Sequence, residues 1–189
     1  MLLYEQQLKR SAVAWRNRFM ENEVTYRGVV ATHLLLRRSE SILLLRRYKT
    51  GWEDGKYSVV AGHVDPFESA IDAMLREAWE EAGIRIEAGD LEFAHVMHRR
   101  KANGEERVDV WFTCERWNGE LHNAEPQKCD DLRWFTWENL PPNLINYVRT
   151  TLLLIKGGHK FSVYNDQELL HFSGVDSQVQ HASVLSYLL

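Results

Sequence analysis

What this 189-residue chain lacks narrows its class before any motif is considered. Its two cysteines, Cys114 and Cys129, are too few for a disulfide framework and lack the companions that a zinc site needs. Basic excess is missing too: 23 Lys and Arg face 27 Asp and Glu, a net charge of −4, which gives no general basic face for duplex nucleic acid. The longest aliphatic runs, such as Ile42 to Leu45 and Leu152 to Ile155, are far too short to span a bilayer. No basic stretch followed by an apolar run and a small-residue cleavage site follows Met1, so a cytoplasmic protein without a secretory signal is expected. Repeats and low-complexity tracts are also missing. With 44% hydrophobic and 26% charged residues, the chain has the composition of an ordinary globular domain with a real core.

Three regions are expected: an N-terminal helical extension over 1–24, a central domain over 25–158 and a C-terminal extension over 159–189. In the first, Leu8, Ala12, Trp15 and Phe19 recur at spacings of three and four, the stripe of a packing or dimer arm. Together with Val184 to Leu189, it offers apolar surface that a homodimer could bury. From Arg27 the period changes. Residues 28–38 and 41–47 read as paired strands, 50–55 as a polar loop with two glycines, and 57–61 as a short buried strand. Residues 91–99 and 108–116 form an expected hairpin around Ala102-Asn103-Gly104-Glu105, followed by a strand over 132–136 and a helix over 142–156. Strands mixed with a few helices argue for an α/β sandwich.

The segment after residue 61 carries the chemistry. Asp65 suits an N-cap, Pro66 the first helical position and Glu68 the capping-box partner, while Gly83 supplies a left-handed stop. The expected helix between them is about 17 residues long, with Glu77, Glu80 and Glu81 on one face about 100° wide. Ala70 and Ala73 lie on the same face, and Met74, Ala78, Ile71, Ala82 and Leu75 on the neighbouring arc that faces the core. Like charges at Glu77 and Glu81 repel by a few tenths of a kcal/mol, roughly, and only Arg76 sits near. A plain acidic surface would intersperse signs. A divalent cation would instead turn the repulsion into binding, and hard oxygen ligands on one rigid face suit Mg²⁺ bridging to substrate phosphates.

The pattern Gly62-x5-Glu68-x7-Arg76-Glu77-Ala78-x-Glu80-Glu81-x-Gly83-Ile84 resembles the Nudix box, G-x5-E-x7-R-E-U-x-E-E-x-G-U, where U is bulky and aliphatic. Every fixed position matches, and the one soft departure is the small Ala78. The resemblance extends from about Arg27 to Lys156. Tyr57 to Gly62 is similar to the strand that enters the box, with Ala61 where glycine is frequent, and Glu125 to Trp134 is similar to a segment of the MutT-like branch. It implies an α/β/α sandwich with a mixed β-sheet, and a hydrolase that uses Mg²⁺ or Mn²⁺ to cleave a nucleoside diphosphate linked to another moiety.

The resemblance also implies roles. Glu77, Glu80 and Glu81 would bind metal, joined by the backbone carbonyl of Ala61, with Glu77 alternatively acting as base. Arg76 would orient Glu80, and Glu68 would serve as cap partner or support. Glu125 is the leading acidic candidate outside the box, with Asp130 and Asp131 as rivals. Other residues have ordinary explanations. His63 is expected to pack at a strand end, His95 and His98 to fall on opposite strand faces, Cys129 to be buried, and Trp111, Trp134 and Trp137 to be core. Trp52 could stack on a base or simply stand at a rim.

Substrate class follows by elimination. None of the four prolines (66, 126, 141 and 142) lies about fifteen residues past the box, where ADP-ribose hydrolases carry one. The S-Q-P-W-P-F-P array of NADH-type members is absent, as is a tyrosine at residues 100–102 of the kind found in dinucleoside polyphosphate hydrolases. A nucleoside or deoxynucleoside triphosphate, split to monophosphate and pyrophosphate, is therefore favoured over ADP-ribose or a nucleotide sugar. A non-catalytic nucleotide sensor of the same fold is the alternative of another class, opposed by the complete set of box glutamates.

Overall fold

Aliphatic residues run almost without a break through Val29–Arg38 (β1) and Ser41–Arg47 (β2), and both strands are buried on two faces over most of their length. Alternation then sends neighbouring leucines to opposite layers. Leu34, Leu36, Leu43 and Leu45 form one core, whereas Leu35, Ile42 and Leu44 belong to the other. The computed structural model describes residues 28–101, 103–165 and 168–171. The helix expected over 1–24 and the apolar segment Val184 to Leu189 lie outside the described residues.

After β2 come two short strands, Tyr57–Ser58 (β3) and Val60–His63 (β4), then the helix Ala70–Ala82 (α1). The hairpin Glu92–Arg100 (β5) and Glu106–Cys114 (β6) follows, then Cys129–Thr136 (β7), the helix Asn146–Lys156 (α2), and the strands Phe161–Asn165 (β8) and Glu168–His171 (β9). β1 pairs antiparallel with β4 and parallel with β6, and the order continues through β5, β8 and β9. Only two residue pairs join β1 to β2, after which β2 splays away and pairs with β3 and β7. The result is an α/β/α sandwich with a mixed sheet. α1 packs Met74, Ala78 and Ala82 on one face, and α2 packs Tyr147, Val148 and Leu152 on the other.

Several element boundaries differ from the sequence expectation. Asp65 does not cap α1, and the helix has 13 residues. Phe67 adopts φ 70°, a left-handed conformation that no helix can continue through. Asp65 and Glu68 still pair, but as a turn: the Asp65 N–H donates to Glu68 Oε2 at 3.1 Å, and the Glu68 N–H donates to the Asp65 carbonyl. Ser69 is the N-cap, with a reciprocal capping box to Asp72. α2 begins at Asn146 rather than near Pro142, because Tyr57 exchanges hydrogen bonds with Asn143 and Ile145 and keeps that backbone extended. The strand expected over 57–61 is two strands, and β7 starts at Cys129. β8 and β9 continue the sheet past residue 158, the expected end of the central domain, with β8 parallel to β5.

Candidate active site

Gly83 ends α1 in the left-handed conformation, φ 67°, with its N–H donated to Trp79 at 3.1 Å. The next chain segment is pinned to the same helix end, because His122 and Ala124 donate backbone N–H groups to the Ala82 and Glu81 carbonyls, both at 3.1 Å. Glu125 is thereby brought beside Glu81. β4 approaches from the other side. The Ala61 N–H donates to Glu81 Oε2 at 3.0 Å, and a Cβ built on Gly62 would lie 1.8 Å from Glu77 Oε1. A side chain at position 62 would occupy the space that the Glu77 carboxylate fills.

These contacts place Glu77, Glu81 and Glu125 around one cavity of about 360 Å³. Ala61, Gly62, His63 and Asp65 form one wall, and Arg47, Thr50, Arg76 and Lys128 also line it. Glu80, expected on the same face, lies at the edge of that arc, exposed and outside the cavity lining, with its carboxylate 3.2 Å from Arg76. Arg76 is the hub. Its Nε and Nη2 donate to the two Glu68 oxygens at 2.9 Å, Nη1 donates to Glu77 at 2.7 Å and to Glu80 at 3.2 Å, and Nη2 also reaches the His63 carbonyl at 3.0 Å. Glu68 thus ties the turn before α1 to the helix through a two-pronged bond, a larger role than cap partner.

Burial pushes the Glu81 carboxyl up to about 8, against the opposing Ala61 N–H and with the neighbouring Glu77 and Glu125 charges adding to the rise. Burial raises Glu77 as well, partly countered by Arg76. Carboxylates crowded in this way gain from a cation. Among the described residues, no three His, Cys, Asp or Glu side chains close on a single point, so there is no all-protein cage. A cation held here would need water or substrate oxygens besides one or two of these carboxylates, which is how Mg²⁺ is commonly bound.

Sequence reasoning missed the cationic side of the cavity. Arg47 Nε donates to the Trp52 carbonyl and Nη2 to Thr50 Oγ1, both at 2.8 Å. Asp54 staples this loop by accepting from the Thr50 and Gly51 N–H groups at 2.9 Å. Lys128 Nζ is 2.7 Å from Glu125 Oε1. Adjacency to a glycine-containing loop, and the i,i+3 spacing from Glu125, were the signals in the sequence. Trp52 is 41% exposed, with its ring beside the Arg47 guanidinium and 6.4 Å from that of Tyr147. Asp130 instead pairs with Arg46, and Asp131 with Tyr57 and Arg133. His63 lines the cavity at an exposed strand end. His95 is buried and held by Ser162 and the His159 carbonyl, while His98 meets Glu106. Cys129 and Trp111 are buried, whereas Trp134 and Trp137 are only partly so.

A sandwich with a carboxylate-lined cavity at one helix defines the class. A profile of the NUDIX domain matches residues 26–153, and the chain belongs to the Nudix family. The MutT NUDIX hydrolase from Burkholderia pseudomallei is similar in structure at a TM-score of 0.62 with 30% identity, covering 68% of this chain and 98% of that one. The MutT protein from Methanosarcina mazei Go1 shares the fold at a TM-score of 0.60 and 20% identity, over 70% and 97% of the two chains. Among curated proteins, the NAD-capped RNA hydrolase NudC of Pseudomonas syringae pv. syringae is 33% identical over 117 residues, 58% of this chain and 36% of its own length. The chain therefore spans little more than a third of the length of the curated relatives it matches. No helix among the described residues is long and apolar enough to cross a membrane.

Proposed function

We propose that this chain is a Mg²⁺- or Mn²⁺-dependent pyrophosphohydrolase of the cytoplasm, acting on a nucleoside diphosphate linked to another group. A nucleoside or deoxynucleoside triphosphate, split to monophosphate and pyrophosphate, is the favoured substrate. The observation that carries this reading is the presence of Glu77, Glu81 and Glu125 on the lining of one cavity, with Arg47 and Lys128 also on it. Anionic side chains suit divalent cations, and cationic ones suit phosphate oxygens.

In this reading Glu77, Glu81 and Glu125 hold the cations, with the Ala61 carbonyl a further donor and Glu80 reaching in from the rim. When bound, a divalent cation supplies a water that ionises near neutral pH and neutralises charge on the phosphates. Arg76 keeps Glu77 turned inward and Gly62 leaves the space for it. Arg47 is pre-positioned by hydrogen bonds to the neutral oxygens of Thr50 and Trp52, so its guanidinium lines the cavity in place to meet a phosphate. Trp52, partly exposed beside it, offers a face to a base.

The curated relatives favour a second reading, hydrolysis of NAD-capped RNA, since that is what their names state. The absent S-Q-P-W-P-F-P array opposes it, and the complete set of box glutamates opposes a non-catalytic sensor. A panel of nucleoside triphosphates, ADP-ribose, nucleotide sugars, NADH and NAD-capped RNA, with products resolved by ³¹P NMR under Mg²⁺ and Mn²⁺, decides. Pyrophosphate released from triphosphates supports the favoured reading, and preferential cleavage of the NAD-containing compounds replaces it with the second. Tight ligand binding without turnover would support the sensor.

A further inference from the structure

The carboxylate cavity already contains a cation of its own. Lys128 lies on the lining with its ammonium 2.7 Å from Glu125 Oε1. Backbone bonds fix the segment that carries both residues. The Lys128 and Cys129 N–H groups donate to the Glu125 carbonyl at 2.9 Å, the Lys128 carbonyl accepts from Tyr48 at 2.7 Å, and Asn123 Nδ2 donates to the Cys129 carbonyl at 2.6 Å. Ala124 is tied to the Glu81 carbonyl, so the turn cannot drift from α1. What can move is the lysine side chain. It is 59% exposed, whereas Glu125 is only 19% exposed. A long, flexible, largely exposed ammonium with one hydrogen-bonded partner is held less rigidly than the Arg76 guanidinium with its two-pronged bond to Glu68.

We infer that Lys128 is a displaceable counter-cation, paired with Glu125 until a divalent cation takes that carboxylate and then passing to the substrate phosphates. The inference rests on the metal-dependent reading above. No bond is made or broken: one ammonium exchanges a carboxylate partner for a phosphate partner, and the doubly charged ion takes its place. Arg76, bonded to Glu68, Glu77 and Glu80 together, is poorly suited to this exchange.

The test measures two bindings that should move in opposite directions. Calorimetry first titrates Mn²⁺ alone into the full chain at low ionic strength, then inorganic pyrophosphate into the Mn²⁺-saturated protein. In Lys128→Met, Mn²⁺ should bind about three- to tenfold tighter, because a competing surface pair is removed. Pyrophosphate should bind about fivefold or more weakly, because a phosphate partner is gone. Lys128→Arg should restore pyrophosphate binding, and the Mn²⁺ gain should vanish in a Glu125→Gln background. Lys128→Gln repeats the test with a polar side chain, and melting curves identify any variant that has lost its fold. A merely structural lysine would weaken both bindings together. Unchanged or weaker Mn²⁺ binding in folded Lys128→Met, with wild type binding normally, overturns the inference and leaves the metal reading intact. Failure of wild type itself to bind Mn²⁺ overturns both.

Discussion

Replacing Gly62 by alanine adds a single methyl group, and the site geometry dictates where the damage falls. The new Cβ would lie 1.8 Å from Glu77 Oε1, 2.0 Å from its Cδ and 2.6 Å from Oε2. The carboxylate must retreat by about 1.2 Å to reach 3.0 Å, below which real Cβ contacts essentially do not occur. Because the atoms struck are the far end of a flexible side chain, the rotamer of Glu77 yields and β4 keeps its register with β1. A shift of about 1 Å in a reacting group costs on the order of 10²-fold in rate. The 2.7 Å bond from Arg76 to Glu77 is strained or lost in the same movement. Global stability should fall by no more than about 1 kcal/mol, since neither core is touched. Mn²⁺ titration and the rate of phosphoanhydride hydrolysis report the site, and urea denaturation reports the fold. Glu77→Gln provides the cross-check, because Gly62→Ala should add little to the loss it already causes. Full Mn²⁺ affinity and rate in folded Gly62→Ala would refute this account of why glycine stands there.

The remaining predictions concern charge. Glu81→Gln should lower the rate by about 10³-fold while Glu80→Gln costs at least tenfold less, because only Glu81 lines the cavity; equal losses in a steady-state assay would contradict the placement of Glu80. Arg76→Lys cannot reproduce the two-pronged bond to Glu68 and should destabilise by about 1–2 kcal/mol in urea, with hydrolysis falling more than tenfold; wild-type behaviour in both would remove its role as hub. His33 is buried, stacked on Trp111 at 4.4 Å and bonded to Tyr147 at 3.2 Å, and burial lowers its pKa from 6.5 to about 4, with Asp109 opposing and Arg99, Arg107 and His63 assisting. The unfolded chain therefore binds the extra proton first, so this contribution to stability is intact above pH 6.5 and lost as the pH falls towards 4. The loss is about 2 kcal/mol at pH 5. Urea curves at pH 7 and pH 5 should show a smaller drop for His33→Phe than for wild type, and equal drops would contradict the assignment.

The fold was legible wherever hydrophobic period and turn chemistry agreed. β1 and β2 follow from their near-continuous aliphatic runs, the β5–β6 hairpin from the Asn103-Gly104 turn between two apolar-rich segments, and α1 from its apolar arc. The start of α1 was misread because two capping signatures lie four residues apart. Asp65 with Glu68 and Ser69 with Asp72 both satisfy local rules, and only the left-handed backbone of Phe67 separates them. The late start of α2 has a non-local cause, since Tyr57 on a distant strand claims the backbone that Pro142 alone would release to a helix. β8 was hidden because a strand of only five residues carries little periodic signal. Within the site, helix geometry put Glu77, Glu80 and Glu81 on a common arc, but could not tell that β4 covers Glu77 and Glu81 and leaves Glu80 outside. Arg47 ends β2 and Lys128 sits in the turn before β7, and no spacing rule brings two side chains so far apart in the chain to one cavity.

The most direct test of the central claim is the rate of phosphoanhydride cleavage followed by ³¹P NMR as Mg²⁺ is titrated into metal-free wild type and Glu81→Gln. Wild type should show a saturable, Mg²⁺-dependent rate that EDTA abolishes, and the variant almost none over the same range. Equal rates in the two proteins, or hydrolysis that persists in EDTA, would contradict the assignment of this cavity.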